Sequence, residues 1–320
     1  MQAKSGFRQI SVLGSAAMAV KTYAKTGAYL AGVDQIADVW TFLILREAFF
    51  GVRSFGAFAD ALQISRARLT ERLKHALEIG LLRQQPNREG GKRQEYRLTD
   101  KGLAIYPIAL ALIDWSETWR EPKNRPTLIH RACGHPLKIQ TVCRSCKQPV
   151  EFDDISWPQL IPLDTAYTSG SNVRGWRKMT SFDDVSSRPD PAMEALKAFG
   201  DRWSMLIMYG GMKGPFHFRK AQETLGLATN ILSDRLKHLI ETGLIKRAGK
   251  NRNASYLATP SGLDLFKPIL AIRTWATDWS KPGPGGWSPV VHKPCGHDLQ
   301  TDIVCGVCNE IVDPKSVRIA

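Results

Sequence analysis

The sequence lacks the features that would assign it to a membrane or to a familiar enzyme class. No uninterrupted apolar run reaches about 18 residues, so we expect no membrane-spanning helix and no membrane partner. The dinucleotide-binding GxGxxG, the P-loop, the metalloprotease HExxH and the nucleophile elbow are missing, as are paired carboxylates with a histidine. We therefore predict that the protein is not an enzyme.

Acidic residues are scarce, and cysteine is confined to two short segments. The 320 residues include 44 Lys and Arg against 30 Asp and Glu, and the net charge of +14 favours a polyanionic partner. The six cysteines include CxxC pairs, which in so long a chain are more typical of metal sites than of disulfides. Apolar residues make up 43% of the chain, enough to bury the cores of about two domains.

The chain is a tandem repeat. Trp40 corresponds to Trp203, and the sequence RLKH occurs at 72–75 and again at 235–238. Two cysteine triplets share one internal spacing, and they consist of Cys133, Cys143 and Cys146 and of Cys295, Cys305 and Cys308. The predicted segments are an N-terminal arm at 1–28, a first domain at 29–122, a first Cys/His module at 123–156, a linker at 157–188, a second domain at 189–282 and a second Cys/His module at 283–320.

Each copy has the pattern helix, helix–turn–helix, β-hairpin, helix, which indicates a winged helix-turn-helix domain. In the first copy, Leu69 and Leu73 form the inner stripe of a third helix predicted over Arg66–Ile79, with Ser65 as its N-cap and Gly80 as its stop. The predicted fold class is mainly α with small β-hairpins (α+β). It consists of two tandem winged helix-turn-helix domains, each followed by a small zinc-knuckle hairpin module.

The outer face of each third helix and the tip of each hairpin are polar and basic. Arg, Thr and Asn on such a helix suit the edges of bases in the major groove, and a basic hairpin suits phosphates or the minor groove. We therefore predict double-stranded DNA as the partner; the alternative is a solvated basic face on a protein-interaction scaffold. The predicted DNA-binding residues are Ser65, Arg66, Arg68, Thr70, Arg72, Lys74, Arg88, Lys92, Arg93, Thr229, Asn230, Ser233, Arg235, Lys237, Lys246, Arg247, Lys250 and Arg252.

In order and spacing, the two copies resemble the HxlR-type bacterial transcriptional regulators. The segments that carry the resemblance are Asp38–Glu47, Leu69–Lys74, Gly80–Leu82 and Glu95–Gly102 in the first copy, and Gly200–Ile207, Leu232–Lys237 and Gly243–Ile245 in the second. The resemblance implies a cytoplasmic, sequence-specific DNA-binding transcriptional regulator, usually a dimer built by terminal helices. Many relatives begin the domain with Cys-Pro, and in some of them that cysteine senses oxidants. Gly27-Ala28 and Asp190-Pro191 stand at those positions here, so no thiol switch is expected there.

Two copies in one chain leave two modes of assembly open. The last helices of the two copies could pack together as an intramolecular pseudo-dimer. Alternatively, two chains could form a homodimer with four reading heads, by which we mean winged-helix domains that each contact DNA. The recognition helices begin with different sequences, Arg66–Arg68 and Thr229–Ile231, so a single-chain reader would favour an asymmetric site. The helix residues predicted to pair are Tyr106, Leu110, Ile113, Trp115 and Trp119 with Phe266, Ile269, Ile272, Trp275 and Trp279.

Each cysteine triplet comes with histidines at spacings typical of zinc knuckles. Zinc binds four Cys or His ligands in a tetrahedron, and an x2 spacing followed by glycine lets the chain turn under the metal. We predict two structural zinc ions, one within each module, and an arm of a hairpin between the two knuckles, at Leu137, Ile139 and Thr141. The predicted ligands are His130, Cys133, Cys143 and Cys146 in the first module and His292, Cys295, Cys305 and Cys308 in the second, with His135 and His297 in reserve. The alternatives are a CxxC thiol-redox pair or cysteines that are only small buried apolar groups.

Overall fold

The structure is a computed structural model that describes residues 27–86, 94–120, 126–158, 191–249, 254–282 and 286–320. Almost all of the predicted N-terminal arm and most of the predicted linker lie outside these ranges. So do both predicted wing tips and several residues named above, which are Arg88, Lys92, Arg93, Lys250 and Arg252.

The first copy forms the predicted winged helix-turn-helix domain. Side chains cap the helices where the sequence changes from turn to helix: Asp38 accepts a hydrogen bond from the Thr41 amide, and Ser65 from the Arg68 amide. Gly80 follows the helix predicted over Arg66–Ile79 and has a φ of 72°, a left-handed conformation that favours glycine. The elements are α1 Ala28–Ile36, α2 Val39–Phe49, α3 Phe55–Leu62, α4 Arg66–Glu78, β1 Leu82–Pro86, β2 Gln94–Leu98, α5 Asp100–Leu103 and α6 Tyr106–Trp119.

The second copy repeats this order, with one added strand in its wing. After the first copy come β3 Leu128–His130, β4 Ile139–Cys143, a 3₁₀ turn at Phe152–Asp154 and β5 Ile155–Ser156. The second copy contains α7 Ala192–Phe199, α8 Arg202–Gly211, β6 Phe216–His217, α9 Phe218–Leu225, α10 Thr229–Glu241, β7 Ile245–Ala248, β8 Ser255–Ala258, α11 Pro260–Leu263 and α12 Phe266–Trp279. The chain then forms β9 Val291–His292, β10 Thr301–Cys305 and β11 Val317–Ile319. The predicted fold class, tandem α+β winged helices, is confirmed.

The two copies pack against each other within one chain. Helix α1 lies on α12, α7 lies on α6, and α6 and α12 contact each other. Equivalent tryptophans each donate a hydrogen bond to the other copy. Trp115 Nε1 donates to the Ser261 carbonyl at 2.7 Å, and Trp275 Nε1 donates to the Lys101 carbonyl at 3.1 Å. Gly32 marks the tightest approach, since a Cβ there would lie 2.7 Å from Ile272.

Ion pairs and aromatic contacts join the same two copies. Arg202 pairs with Asp34 at 2.9 Å and Lys267 with Asp114 at 3.0 Å, each pair linking one copy to the other. The rings of Tyr29 and Tyr209, one from each copy, stack with their centroids 4.7 Å apart. Trp157, at the start of the predicted linker, packs edge-on against Tyr209 at 5.8 Å. The geometry therefore matches an intramolecular pseudo-dimer built by the terminal helices.

The two Cys/His segments form a single β unit, so the expectation of two separate hairpin modules is wrong. Strand β4 pairs antiparallel with β10, β3 with β11, and β5 with β9, and each of these pairs joins the first segment to the second. We call this unit, residues 126–158 with 286–320, the fused module. The alternating residues predicted as a hairpin arm include Ile139 and Thr141, which face Cys305 and Ile303 across the β4–β10 pair.

Buried side chains attach the fused module to the paired helices. Leu110 of α6 packs into a small cluster with Ile303 and Val312 of the module. Arg273 of α12 is only 1% exposed, and its guanidinium pairs with Asp298 at 2.6 Å and donates to the Leu299 carbonyl at 2.8 Å. The module is therefore positioned directly by the helices that hold the copies together.

Within the described ranges, no single helix is long and apolar enough to cross a membrane, although α1 and α2 taken together are, with a bend of 77° between them.

Candidate metal centres and nucleic-acid interface

Two groups of four Cys and His side chains lie in the fused module. The first consists of His130 and Cys133 from the first segment and Cys305 and Cys308 from the second. The ligand atoms of the group all lie within 4.8 Å of one another. His130 Nδ1 lies 3.5 Å from Cys133 Sγ and 3.3 Å from Cys308 Sγ, and the sulfurs of Cys133 and Cys305 are 3.9 Å apart.

The second group repeats the first with the segments exchanged. It consists of His292 and Cys295 from the second segment and Cys143 and Cys146 from the first. His292 Nδ1 lies 3.3 Å from Cys295 Sγ and 3.5 Å from Cys146 Sγ, and the sulfurs of Cys143 and Cys295 are 3.9 Å apart. Each group thus combines the first knuckle of one segment with the second knuckle of the other.

These distances fit a tetrahedral Cys₃His site. Zn–S and Zn–N bonds of about 2.3 and 2.0–2.1 Å give tetrahedral edges of about 3.8 Å between sulfurs and about 3.5 Å between sulfur and nitrogen. The observed edges are 3.9 Å between sulfurs and 3.3–3.5 Å between sulfur and nitrogen. All six cysteines are free thiols and both histidine rings are buried, so the eight side chains fit two tetrahedral ions of the Zn²⁺ type.

The eight predicted ligands are brought together, but not within single segments as the sequence predicted. Strand β4 separates the two knuckles of the first segment, and five extended residues span about 13–17 Å, which is too far to close one site. The antiparallel register places Cys305 opposite Ile139, beside the first knuckle of the other segment. The long strand therefore forces each knuckle to complete its site across the module.

The histidines held in reserve lie outside both groups. His135 and His297 have exposed side chains, and only their backbone carbonyls take part, accepting from the amides of His130 and His292 at 3.0 Å. These backbone bonds close the turn that contains each first knuckle. In the second knuckle of the first segment, a hydrogen bond from the backbone of Gln148 lowers the pKa of Cys146, whereas burial raises the pKa of Cys143.

The recognition helices α4 and α10 present their predicted contact residues to solvent. Arg66, Arg68, Thr70 and Lys74 are exposed on α4, as is its N-cap. On α10 the exposed residues are Thr229, Asn230, Ser233 and Lys237. The wing stems add Lys246 and Arg247, both exposed on β7. Neither surface is covered by the pairing of the copies, so both helices are open to a groove.

Two of the predicted contact residues point inward instead. Arg72 lies 3.4 Å from the Asp38 carboxylate and Arg235 lies 3.3 Å from the Asp201 carboxylate, and all four side chains are at most 25% exposed. Each acid is also the N-cap of α2 or α8. The equivalent arginines therefore tie each recognition helix to the start of the helix behind it, which leaves them poorly placed to reach DNA.

The HxlR-like helix-turn-helix family matches residues 35–124 and 198–284, more than half of the chain. The chain belongs to this family. Both HxlR-like matches contain the complete helix–turn–helix, wing and last helix described above, so this family member carries the domain twice.

The relatives of this HxlR-like chain are regulators that match about one copy. An HTH-type transcriptional regulator of Mycobacterium tuberculosis is 36% identical over 126 residues, covering 39% of this chain and 80% of its own length. The HTH-type transcriptional regulator YodB of Bacillus subtilis is 30% identical over 98 residues, covering 29% and 88%. A solved structure described as a transcription factor is 35% identical, covers 38% of this chain and 87% of its own, and has a TM-score of 0.35. So low a TM-score supports no argument about how the copies are arranged.

The sequence identified the side chains of both Cys/His groups but not their exchange between segments, nor the Arg273–Asp298 pair. The second omission had a visible signal, because Arg273 interrupts an otherwise apolar face of the last helix. The exchange had none within either segment, since both copies have the same knuckle spacing.

Proposed function

We propose that the protein is a sequence-specific transcriptional regulator in which one chain supplies both DNA-reading heads, and not an enzyme. The observation that carries this is the pair of exposed recognition helices held on a single packed core, with Trp115 and Trp275 fixing the copies from both sides. The family and its relatives are helix-turn-helix transcription regulators, which supports double-stranded DNA as the partner. Because α4 and α10 present different residues, the operator is asymmetric, with half-sites about one helical turn apart.

The same proposal assigns two zinc ions to the fused module. Four protein ligands fill each tetrahedron and leave no open position, which is the arrangement of a structural site and not of a catalytic one. A small β unit has too little core to fold strongly alone, so metal binding supplies much of its folding free energy. Each ion binds side chains from both segments, and each segment follows the last helix of one copy. The metals therefore fix the C-terminal ends of the two copies relative to each other.

The test is selection of duplexes from a random-sequence pool with the full, zinc-loaded chain, followed by sedimentation of the complex. We expect a non-palindromic consensus, one chain per duplex and affinity that falls steeply with salt as counterions are released. Binding of every duplex with equal, low affinity would contradict a sequence-specific regulator. A palindromic consensus occupied by two chains would contradict the single-chain arrangement.

A further inference from the structure

The two reading heads differ in where their positive charge lies. Helix α4 carries four basic and two acidic residues, whereas α10 carries two basic and two acidic residues. The preceding helices show the opposite trend. Helix α9 carries Arg219 and Lys220, both exposed, where α3 has Gly56 and Ala57. The copies are therefore related by fold and not by the placement of charge.

In the first copy, the charges lie where a recognition helix meets base edges. The residues at the N-terminal end of such a helix contact bases, and Arg pairs bidentately with guanine. Arg66 lies over the Phe55 ring at 5.3 Å and Arg68 over the Trp40 ring at 5.5 Å, measured from the guanidinium carbon to the ring centroid. Both arginine residues remain exposed, so the rings orient the side chains without withdrawing them from DNA.

In the second copy, the same positions cannot act in this way. The counterpart of Arg68 is Ile231, which is half-buried against the core, and the counterpart of Arg66 is Thr229, whose hydroxyl accepts a hydrogen bond from Gln222 at 3.0 Å. Asn230 is the residue at this end whose amide can pair bidentately with a base, and it suits adenine.

The second copy has its charge on the elements that track the backbone. In helix-turn-helix proteins the first helix of the motif crosses the phosphates. Arg219 and Lys220 lie on that helix, and the Arg219 side chain is 91% exposed and pairs with Glu223 of the same helix at 3.0 Å. The wing stems do not distinguish the copies, because Arg83 on β1 is exposed like its counterpart Lys246 on β7. The basic residue that precedes α3 in the first copy, Arg53, instead folds back and donates to the carbonyls of Ala48 and Val52.

We propose that the heads divide the work, so that Arg66 and Arg68 of the first copy supply most of the sequence discrimination, directed at guanine, while Arg219 and Lys220 anchor the second copy to phosphates. This rests on the function proposed above. It predicts an operator with one stringent, guanine-containing half-site and one relaxed half-site.

The test uses the full zinc-loaded chain, the selected duplex and a duplex of the same length with scrambled sequence, with affinities measured over a range of salt. Arg66→Ala and Arg68→Ala should each weaken binding to the selected duplex by about 5- to 150-fold, with a much smaller loss on the scrambled duplex. Arg219→Ala and Lys220→Ala should weaken both duplexes equally, and should lower the slope of log affinity against log salt by about 0.9 each. Lys315→Ala, in the fused module, is the control for loss of one charge elsewhere.

The outcomes separate the two proposals. Loss of discrimination from Arg219→Ala or Lys220→Ala, or a uniform loss from both α4 variants, overturns the division of work even if the protein is a regulator. A wild-type chain that enriches no sequence from the pool contradicts the proposed function itself, before any variant is made.

Discussion

The winged-helix copies and the fused module follow opposite rules of assembly. Within each copy, the strands pair inside the copy, as in the β1–β2 and β7–β8 wings. In the fused module, every strand pair joins the first segment to the second, and both metal groups do the same. The fold of a domain whose strands pair within it can be predicted from its own sequence. The fold of a unit whose strands pair with those of the other repeat cannot. The predictions that follow test how far this contrast holds, from the largest effect to the smallest.

Removal of the metal should affect the two regions very unequally. Structural zinc contributes an apparent free energy of about 10–16 kcal/mol in small zinc-binding peptides, so chelation should unfold the fused module. The helices, with their own apolar cores, should persist. Amide hydrogen exchange with and without chelator checks this, and we expect protection to be lost in β4 and β10 but kept in α2 and α8. Equal protection of β4 and β10 in both samples would contradict a structural metal.

The buried arginine that anchors the module to α12 should come next. Arg273→Met removes charged hydrogen bonds to Asp298 and to two carbonyls, and bonds of this kind contribute about 1.5–3 kcal/mol each. We expect a loss of about 2–3 kcal/mol in the free energy of unfolding, measured by denaturant titration. This is less than the sum of the three bonds, because the variant no longer has to desolvate a buried guanidinium.

The matched control is the equivalent position of the first copy, Ile113, which has no such ion pair. Ile113→Met is a swap of similar volume and should cost less than about 1.5 kcal/mol. Equal losses for the two variants would show that the ion pair does not distinguish the copies.

The close approach of α1 to α12 gives the third test. Gly32→Ala places a Cβ 2.7 Å from Ile272 Cγ2 and 3.0 Å from its carbonyl oxygen, so the helices must separate. Overpacking of this kind costs about 1–3 kcal/mol. Gly56→Ala is the control, because nothing lies within 4 Å of its added Cβ, and it should stabilise helix α3 by about 0.5–1 kcal/mol. A gain from both variants in thermal unfolding would argue against tight packing of the copies.

The smallest effect concerns the caps of the recognition helices. Ser65 caps α4, whereas Ala228, the N-cap residue of α10, makes no side-chain cap. Ala228→Ser should therefore stabilise the second copy, and Ser65→Ala should destabilise the first, each by about 1 kcal/mol. Thermal unfolding of the two variants measures both changes, and shifts of the same sign would contradict the assignment of the caps.

The sequence predicted what is encoded locally. The caps at Asp38 and Ser65, the stop at Gly80 and the apolar stripes of the helices depend on residues a few positions apart, and they specify the winged helices. The same periodicity identified Trp115 and Trp275 as pairing residues. The family resemblance added DNA as the expected partner.

What the sequence did not predict depends on pairing over long distances. The ligand types and spacings of His130 and Cys133 indicated a metal, but the partner knuckle is chosen by the β4–β10 register, more than 150 residues away along the chain. The inward position of Arg72 likewise depends on Asp38, an acid at the start of another helix. A basic residue on an outer helix face looks the same in sequence whether it meets an acid or solvent.

The central claim is that each metal is shared between the two segments, and double substitutions test it by metal content. The pair Cys133→Ser and Cys308→Ser removes ligands from one group, whereas the pair Cys133→Ser and Cys146→Ser removes one ligand from each. Elemental analysis of the purified variants should find one zinc per chain in the first and none in the second. One zinc in the second variant and none in the first would mean that each segment binds its own ion, and would contradict the exchange.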